Sequence, residues 1–216
     1  MPGIDFLDVD HTLTRRSSGA RFVSMAIRRH IAPLRLLAIV PYYALTYRLG
    51  FFRLREYGAG FPYLSGMKKT VLESVARESF EQGLRGDVYP GAIALVEERK
   101  RLGRKLALAT SSLDFIVRPL AEFLGIDLIL ATSLEYRDGI CTGMIHGAPL
   151  FRQEKQRRVL AYIGQSGARR EDCSFYSDSI YDLPLLEEVG NPVAVNPDFR
   201  LRRIAQRRNW SIMDFA

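Results

Sequence analysis

From Tyr89 onward, short apolar runs alternate with segments whose apolar residues recur every three or four positions. The runs are typical of buried strands, and the segments are typical of amphipathic helices. The predicted helices span 92–101, 114–123, 154–163, 183–189 and 201–208, and the predicted strands span 105–109, 127–131, 174–176, 192–195 and a short stretch near Trp210. Apolar strands that alternate with helices predict a parallel sheet covered on both faces, and therefore an α/β fold.

Two local signals sharpen this prediction. Gly125 follows the helix predicted over 114–123 and is expected to end it, because glycine readily adopts the left-handed conformation found after helices. The segment 134–144 carries Asp138-Gly139 near its centre, which predicts a β-hairpin.

A further apolar run, Ile4–Val9, lies upstream of this region and predicts the first strand of the same sheet. The block Gly19–Ala76 between them has apolar residues at helical spacing, interrupted by prolines and glycines. We therefore expect a core of residues 1–14 and 89–216, with an inserted helical cap of residues 15–88.

Polar side chains follow three of the predicted strands, at the edge of a parallel sheet where ligands bind. They are Asp8 and Asp10 after the first strand, Thr110 and Ser111 after the next, and Asp178 and Asp182 after a later one. Lys155 opens the helix between the last two groups and is expected to reach the same edge. The sequence thus predicts that carboxylates, hydroxyl groups and one ammonium group meet in one place.

The charges of these groups indicate a chemistry. Several crowded carboxylates need a cation, because each negative charge raises the pKa of the others. Hard oxygen ligands without cysteine or histidine suit Mg²⁺. Lys155, the Thr110 hydroxyl and loop amides would form an anion pocket beside the metal. A cation, an anion pocket and a spare carboxylate are what phosphoryl transfer requires.

Four motifs occur in order, namely DVDHT, LATSS, a lone lysine and YSDSIYD. This set, which spans residues 4–198, resembles the motifs of the haloacid dehalogenase-like (HAD) phosphohydrolases. The flanking segments are similar to the phosphoserine-phosphatase-like branch, subfamily IB. The resemblance implies a Rossmann-like core with a helical cap of the C1 type, and the activity of a phosphoric monoester hydrolase.

The resemblance also implies roles for the predicted site residues. Asp8 would be the nucleophile that forms an aspartyl-phosphate, and Asp10 would protonate the leaving oxygen and then activate water. Thr110 and the main-chain amide of Ser111 would hold the phosphoryl oxygens, while Lys155 would neutralise their charge.

Mg²⁺ is the cofactor that the resemblance implies. Its ligands would be Asp8, the main-chain carbonyl of Asp10, and Asp178. Asp182 would orient Lys155 or a water on the metal. As an alternative, Asp182 is the N-cap of the helix that follows it.

The substrate is less constrained than the chemistry. Phosphoserine phosphatases place a glutamate shortly after the first motif, where it can pair with the substrate ammonium. Here the segment Arg15–Gly19 occupies that place, and the first acidic residue beyond it is Glu56. This positive entrance disfavours an ammonium group. The last motif also departs from the pattern, with Tyr181 where relatives commonly have asparagine.

The segment Arg15–Arg55 contains nine arginines and no acidic residue. One interpretation is a helical cap with a solvated basic face. The other is a peripheral element that rests on an anionic membrane, with arginines among the headgroups. The second interpretation suits a lipid phosphate such as phosphatidylglycerophosphate, for which relatives in this branch are known, and the first suits a small organic phosphate.

Other classes fit less well. A nucleic-acid binder needs basic and aromatic side chains on an open face, whereas the aromatic residues here lie in apolar helical runs. The charge-free stretch Leu36–Tyr47 is too short to span a membrane. Cys141 and Cys173 lack the spacing of a zinc site or a disulfide framework, and the first ten residues lack a basic leader. We therefore expect a cytoplasmic protein.

Two further functions stay open on the sequence alone. A peripheral membrane or anion-binding protein would use the same core for binding only. A phosphotransferase would use the same site to pass the phosphoryl group to an alcohol.

Overall fold

The computed structural model describes residues 3–36 and 60–215. Residues 37–59 of the predicted helical block therefore lie outside the described residues, and so do three of its nine arginines and Glu56. Of the charge-free stretch Leu36–Tyr47, only Leu36 is described. In the described part of the chain, no helix combines the length and the apolar character that a membrane span requires.

The strands build one parallel sheet and one hairpin. They are β1 (Ile4–Leu7), β2 (Lys105–Leu113), β3 (Leu128–Thr132), β4 (Leu134–Arg137), β5 (Ile140–Ile145), β6 (Ser174–Ser177), β7 (Asn191–Val195) and β8 (Ser211–Met213). Within the described residues, six of them pair in the order β3-β2-β1-β6-β7-β8, and every pairing is parallel. β4 and β5 form the predicted antiparallel hairpin. The predicted α/β fold is confirmed.

The helices are α1 (Ser18–Arg28), α2 (Lys69–Ser79), α3 (Pro90–Arg101), α4 (Asp114–Leu124), α5 (Gln153–Ser166), α6 (Leu183–Leu186) and α7 (Phe199–Arg207). Helices α3 to α7 lie on the two faces of the sheet, and α1 and α2 belong to the segment between β1 and β2. Successive side chains of β1 point to opposite faces, as strand geometry requires. Leu7 packs into the apolar cluster that includes residues of α3 and α4, and Phe6 packs into the cluster that includes residues of α5, α6 and α7. The first strand is therefore buried on both faces, which accounts for its apolar run.

The inserted segment leaves and re-enters the core at adjacent positions. The Arg15 amide donates to the Asp87 carbonyl at 2.8 Å, and the Tyr89 amide donates to the Leu13 carbonyl at 3.0 Å. Thr14 and Val88 form an antiparallel bridge between these two bonds. The two ends of segment 15–88 therefore lie side by side, and the boundaries at 14/15 and 88/89 stay a prediction.

The described part of the insertion packs against the sheet through α4 and the hairpin. Phe22 of α1 and Leu72 of α2 share an apolar cluster with Phe115 of α4 and Cys141 of β5. The Phe22 and Phe115 rings meet edge to face, 5.2 Å apart. α2 runs on through a π-helical turn (Phe80–Leu84) and a last α-helical turn (Arg85–Asp87) into the re-entry point.

Three predicted boundaries are wrong for identifiable reasons. β2 continues past Ala109 to Leu113, through an irregularity in its pairing with β3. α6 is shorter than predicted, because the chain turns before entering β7. α7 begins at Phe199, since the Asp198 carboxylate accepts the first amides of the helix and caps it. The predicted end of α4 is confirmed, because Gly125 adopts the left-handed conformation there, with φ +59°.

Candidate active site

All seven predicted site residues lie at the carboxyl edge of the parallel sheet or on segments bonded to it. Asp8 and Asp10 follow β1, while Thr110 and Ser111 lie in the last part of β2. Asp178 and Asp182 follow β6, and Lys155 lies in the first turn of α5. The parallel sheet brings these segments together because the strand ends that carry them share one edge.

Lys155 connects two of the carboxylates. Its Nζ donates to Asp8 Oδ1 at 3.2 Å and to Asp182 Oδ2 at 2.8 Å. The three side chains are buried, with Lys155 only 2% exposed. The Ser177 hydroxyl donates to the same Asp182 oxygen at 2.7 Å. Asp182 therefore holds the ammonium group in place, and Lys155 is oriented toward Asp8.

Asp182 occupies the N-cap position of α6, which is one of its two predicted roles. Its side chain makes no capping hydrogen bond to the helix that follows. The side chain bonds to Lys155 and Ser177 instead, so Asp182 occupies the N-cap position without capping the helix through its carboxylate.

Asp178 is held by a residue of the first motif. The Thr12 hydroxyl donates to Asp178 Oδ1 at 3.3 Å, and the Asp178 amide donates to the Thr12 Oγ1 at 3.0 Å. Thr12 is fully buried. Thr12 was not among the predicted site residues, although its place in DVDHT was a visible signal. It joins the loop after β1 to the loop after β6.

Asp10 sits in a ring of serine donors. Its Oδ1 accepts the Ser18 amide at 2.7 Å, and its Oδ2 accepts the Ser112 hydroxyl at 2.8 Å and the Ser17 hydroxyl at 3.3 Å. The Ser18 and Ser112 hydroxyls are themselves 2.9 Å apart. These three serines were missed as site residues, and only Ser17 carried a local signal, since it caps α1. The ring fixes Asp10 between β1, β2 and α1.

Thr110 and Ser111 differ in exposure. Thr110 is buried, and its hydroxyl oxygen accepts the Ser112 amide at 3.2 Å. The Ser111 side chain is exposed, while its carbonyl accepts the Thr132 hydroxyl at 2.9 Å. The irregular pairing of β2 with β3 passes over residues 110–112. Residues 110–112 therefore have no paired partner on β3 in the sheet. They lie at the same sheet edge as Asp8 and Asp10.

Burial sets the electrostatics of the cluster. Burial raises the pKa of Asp8 to about 7, opposed by the Lys155 charge and reinforced by Asp182 and Asp10. Burial also raises the pKa of Asp178 well above its usual range, and neighbouring carboxylates add to the effect. Burial opposes the charge of Lys155, but Asp182 and Asp8 outweigh it and raise the lysine pKa. Full ionisation of this cluster would therefore place more negative charge in a buried region than one ammonium group offsets.

The model of the haloacid dehalogenase-like hydrolase family matches residues 6–187. The chain belongs to this family. The predicted family, fold class and enzyme class, a HAD-family phosphatase, are confirmed.

Curated relatives and solved structures agree with this assignment. A phosphoserine phosphatase of Mycobacterium tuberculosis is 31% identical over 215 residues, covering 97% of this chain and 70% of the relative. A histidinol-phosphatase of Neisseria meningitidis is 32% identical over 156 residues, covering 70% of each chain. The solved structure of a Bordetella pertussis protein of unknown function covers both chains in full, with a TM-score of 0.87 and 30% identity. A solved phosphoserine phosphatase has a TM-score of 0.72 at 19% identity, covering 100% of this chain and 94% of its own, and shares the fold.

Phosphatases of the HAD family in general use a divalent metal. Within residues 3–36 and 60–215, no group of three or more histidine, cysteine, aspartate or glutamate residues is arranged to hold one. The predicted set needs only two such side chains, Asp8 and Asp178, together with the Asp10 carbonyl. Burial raises the pKa of both carboxyls, so ionising them costs free energy, and a divalent cation bound between them would offset that cost. The donor set therefore fits a hard cation.

Proposed function

We propose that this protein is an Mg²⁺-dependent phosphomonoester hydrolase that works through an aspartyl-phosphate on Asp8. The observation that carries the proposal is the buried pairing of Asp8 with Lys155, beside a second aspartate, Asp10, that serine donors hold at the same strand end. One carboxylate is placed to attack and the other to transfer protons.

In the first half-reaction, an Asp8 carboxylate oxygen attacks the phosphorus and the bond to the alcohol oxygen breaks. Asp10 gives its proton to that oxygen, so the product leaves as a neutral alcohol. The serine ring aims the Asp10 carboxyl group toward the leaving oxygen. The Thr110 hydroxyl, the Ser111 amide and the Lys155 ammonium hold the phosphoryl oxygens as their charge redistributes.

In the second half-reaction, Asp10 takes a proton from water, and the resulting hydroxide attacks the phosphorus of the aspartyl-phosphate. The acyl phosphate bond breaks, phosphate leaves and Asp8 is restored as a carboxylate. Asp10 then holds the proton needed for the next turnover, so the cycle balances. Mg²⁺, held by Asp8, the Asp10 carbonyl and Asp178, would supply charge neutralisation for the phosphoryl group. Asp182 positions Lys155 and contributes through it.

The names of the relatives support a small phosphorylated substrate, since they include a phosphoserine phosphatase and a histidinol-phosphatase. The entrance argues against an amino-acid ammonium group at the usual glutamate position. Arg15 and Arg16 are exposed there, and Ser17 is occupied in capping α1 and in bonding to Asp10. We propose residues 15–88 as the cap that closes over this entrance.

A lipid phosphate is the second candidate, with contact to an anionic membrane through the arginine-rich cap of an otherwise cytoplasmic protein. The observation that favours it is the end of α1 and the turn after it. Arg28 and Arg35 are exposed there beside Leu34, which is 71% exposed. Basic side chains around an exposed leucine suit an anionic bilayer surface.

A panel of phosphate esters, both soluble and dispersed in lipid, tests the proposal through phosphate release with and without Mg²⁺. We expect release that depends on the metal. Transfer to an added alcohol in place of release would indicate a phosphotransferase. Metal-dependent binding without turnover of any ester would indicate an anion-binding protein and overturn the proposal.

A further inference from the structure

Arg152 has a backbone conformation that is unusual for its residue type. Its φ is +50° and its ψ is −120°, a region that glycine occupies readily and other residues occupy at a cost. The Glu154 amide donates to the Phe151 carbonyl at 3.1 Å, which closes a turn with Arg152 at its first central position. These angles match a type II′ turn, where glycine dominates that position. Strain of this kind persists where the surroundings enforce it, often at functional sites.

The Arg152 side chain is held against the last motif. Its guanidinium lies 4.4 Å from the centroid of the Tyr181 ring and 5.4 Å from that of Phe151. The two rings are themselves 5.1 Å apart and both are buried. Tyr181 thus forms part of a platform for Arg152. A stacked guanidinium is aimed more narrowly than a solvated one.

Its place in the fold puts Arg152 at the rim of the site. It immediately precedes α5, three positions before Lys155, whose ammonium reaches Asp8 and Asp182. Tyr181 directly precedes Asp182 in the chain. One segment that contacts the guanidinium therefore leads into the helix that carries Lys155, and the other leads into Asp182, which bonds to Lys155. Arg152 and Lys155 are three positions apart, and one helical turn corresponds to about 5 Å along the helix axis.

The charge of Arg152 is available to a ligand. Arg152 is exposed, and it forms no ion pair with any residue of the described ranges. Other exposed arginines nearby are paired, such as Arg157, which binds Glu154 at 2.7 Å. Stacking on an aromatic ring leaves the guanidinium N–H groups able to bind a carboxylate or a phosphate in their own plane.

We propose that Arg152 is a specificity-determining residue that binds a second anionic group on the alcohol part of the substrate. The inference rests on the proposed phosphomonoesterase function and names its substrate class, which is a phosphomonoester carrying a further carboxylate or phosphate. In this proposal Lys155 binds the phosphoryl group that is transferred, and Arg152 binds the second anionic group on the alcohol part of the substrate.

The test compares kcat/KM for four small esters, namely ethyl phosphate, phosphoglycolate, propane-1,3-diol bisphosphate and O-phosphoethanolamine. We expect the wild-type kcat/KM for phosphoglycolate, for the bisphosphate or for both to exceed that for ethyl phosphate by about tenfold or more. These two esters carry a second anionic group, and a charge-assisted hydrogen bond to it is worth that much. The carboxylate and phosphate arms identify which anion is preferred. O-phosphoethanolamine, with a cationic end, is expected to be the poorest substrate.

Arg152→Gln and Arg152→Gly should each reduce this preference to near unity, mainly through KM, while leaving turnover of ethyl phosphate largely unchanged. Arg152→Gly also removes the strained backbone, so its melting temperature should not fall below that of Arg152→Gln. The matched control is Arg157→Gln, which makes the same charge change five positions further along the chain, at a residue of α5 already paired with Glu154. It should keep the preference.

Three results would overturn the inference. They are a wild-type protein that hydrolyses ethyl phosphate without preferring a second anion, a preference that survives both Arg152 variants, and an equal loss of preference in Arg157→Gln. In each of these the proposed phosphomonoesterase function stands. If the wild-type protein hydrolyses none of the four esters or any other ester of the panel, the proposed function fails and the inference falls with it.

Discussion

Asp8 is the residue on which the proposed chemistry depends. We expect Asp8→Asn to abolish phosphate release while preserving the fold, because it removes the proposed nucleophile and a proposed metal ligand without adding bulk. Loss of a covalent nucleophile typically lowers kcat by several orders of magnitude. Phosphate release and the circular dichroism spectrum of the variant check this. Retention of a tenth of the wild-type rate would contradict the assignment of the nucleophile.

A substitution at Asp178 tests the proposed metal requirement, also at the scale of a single residue. We expect exhaustive chelation to stop turnover, and Mg²⁺ to restore it. Asp178→Ala should raise the Mg²⁺ concentration needed for half-maximal activity by at least about tenfold, since it removes one of two carboxylate ligands. The matched control is Asp172→Ala, an exposed aspartate paired with Arg169 outside the site. Turnover that is indifferent to chelation would show that the proposed metal role is wrong.

The raised pKa of Asp8 predicts a pH dependence for the metal-free protein. Burial makes the folded state hold a proton that the unfolded chain releases near pH 3.8, so the free energy of unfolding falls as the pH rises from there through about 7. Asp8→Asn cannot ionise and should gain stability relative to wild type across that interval. Urea unfolding of both proteins in chelator checks this. A difference in stability that stays constant from pH 4 to pH 8 would contradict it.

At the scale of elements, the N-terminus of α7 supports the loop that carries Asp178. The Asp198 carboxylate accepts the amides of Arg200, Leu201 and Ile180, and the Asp198 amide donates to the Asp178 carbonyl at 2.8 Å. Asp198→Ala should lower the free energy of unfolding by about 1–2 kcal/mol, the usual cost of losing an N-cap. It should also weaken Mg²⁺ activation. Asp198→Asn, which keeps a capping oxygen, should lose less stability, and equal losses in the two variants would contradict the capping argument.

At the scale of the whole molecule, the arginine-rich surface formed by Arg28, Arg29 and Arg35 is a proposed site of membrane contact. Arg28, Arg29 and Arg35 are all exposed, and Arg29 is paired with Glu78 at 2.7 Å. If this surface meets an anionic bilayer, replacing Arg28 and Arg35 with Gln should cost about 2 kcal/mol, or about thirtyfold in affinity for acidic vesicles. Hydrolysis of a small soluble ester should be unchanged. Arg29→Gln is the control, because its charge is already offset, and co-sedimentation at increasing salt provides the measurement.

The proposed contact with an anionic membrane predicts two results in this co-sedimentation experiment. The wild-type protein must co-sediment with acidic vesicles at low salt, and salt must release it. A wild-type protein that stays in the supernatant would leave the basic surface as a solvated face of the cap.

The amino-acid sequence by itself determined the order and type of the elements and the strand ends that carry the chemistry. Hydrophobic periodicity and the preference of Gly125 for the left-handed conformation are local properties, so they can be read without the fold. Six of the motif residues were identifiable because each follows a predicted strand, and parallel strands share a carboxyl edge; Lys155 was identified by its place at the start of a predicted helix between them. Resemblance to the family added their proposed roles.

The tertiary structure decided which distant groups meet. Lys155 and Asp8 are 147 positions apart in the sequence, and Ser112 and Asp10 are 102 positions apart. No local sequence pattern therefore predicts either hydrogen bond. The stacking of Arg152 on Tyr181 and the pairing of Arg29 with Glu78 also required the packed chain. The raised pKa values of Asp8 and Asp178 depend on burial, which arises only when the strands and helices exclude water from the sheet edge. Contacts and desolvation are properties of the packed whole, and for that reason the sequence supplied the site's residues while the fold supplied its electrostatics.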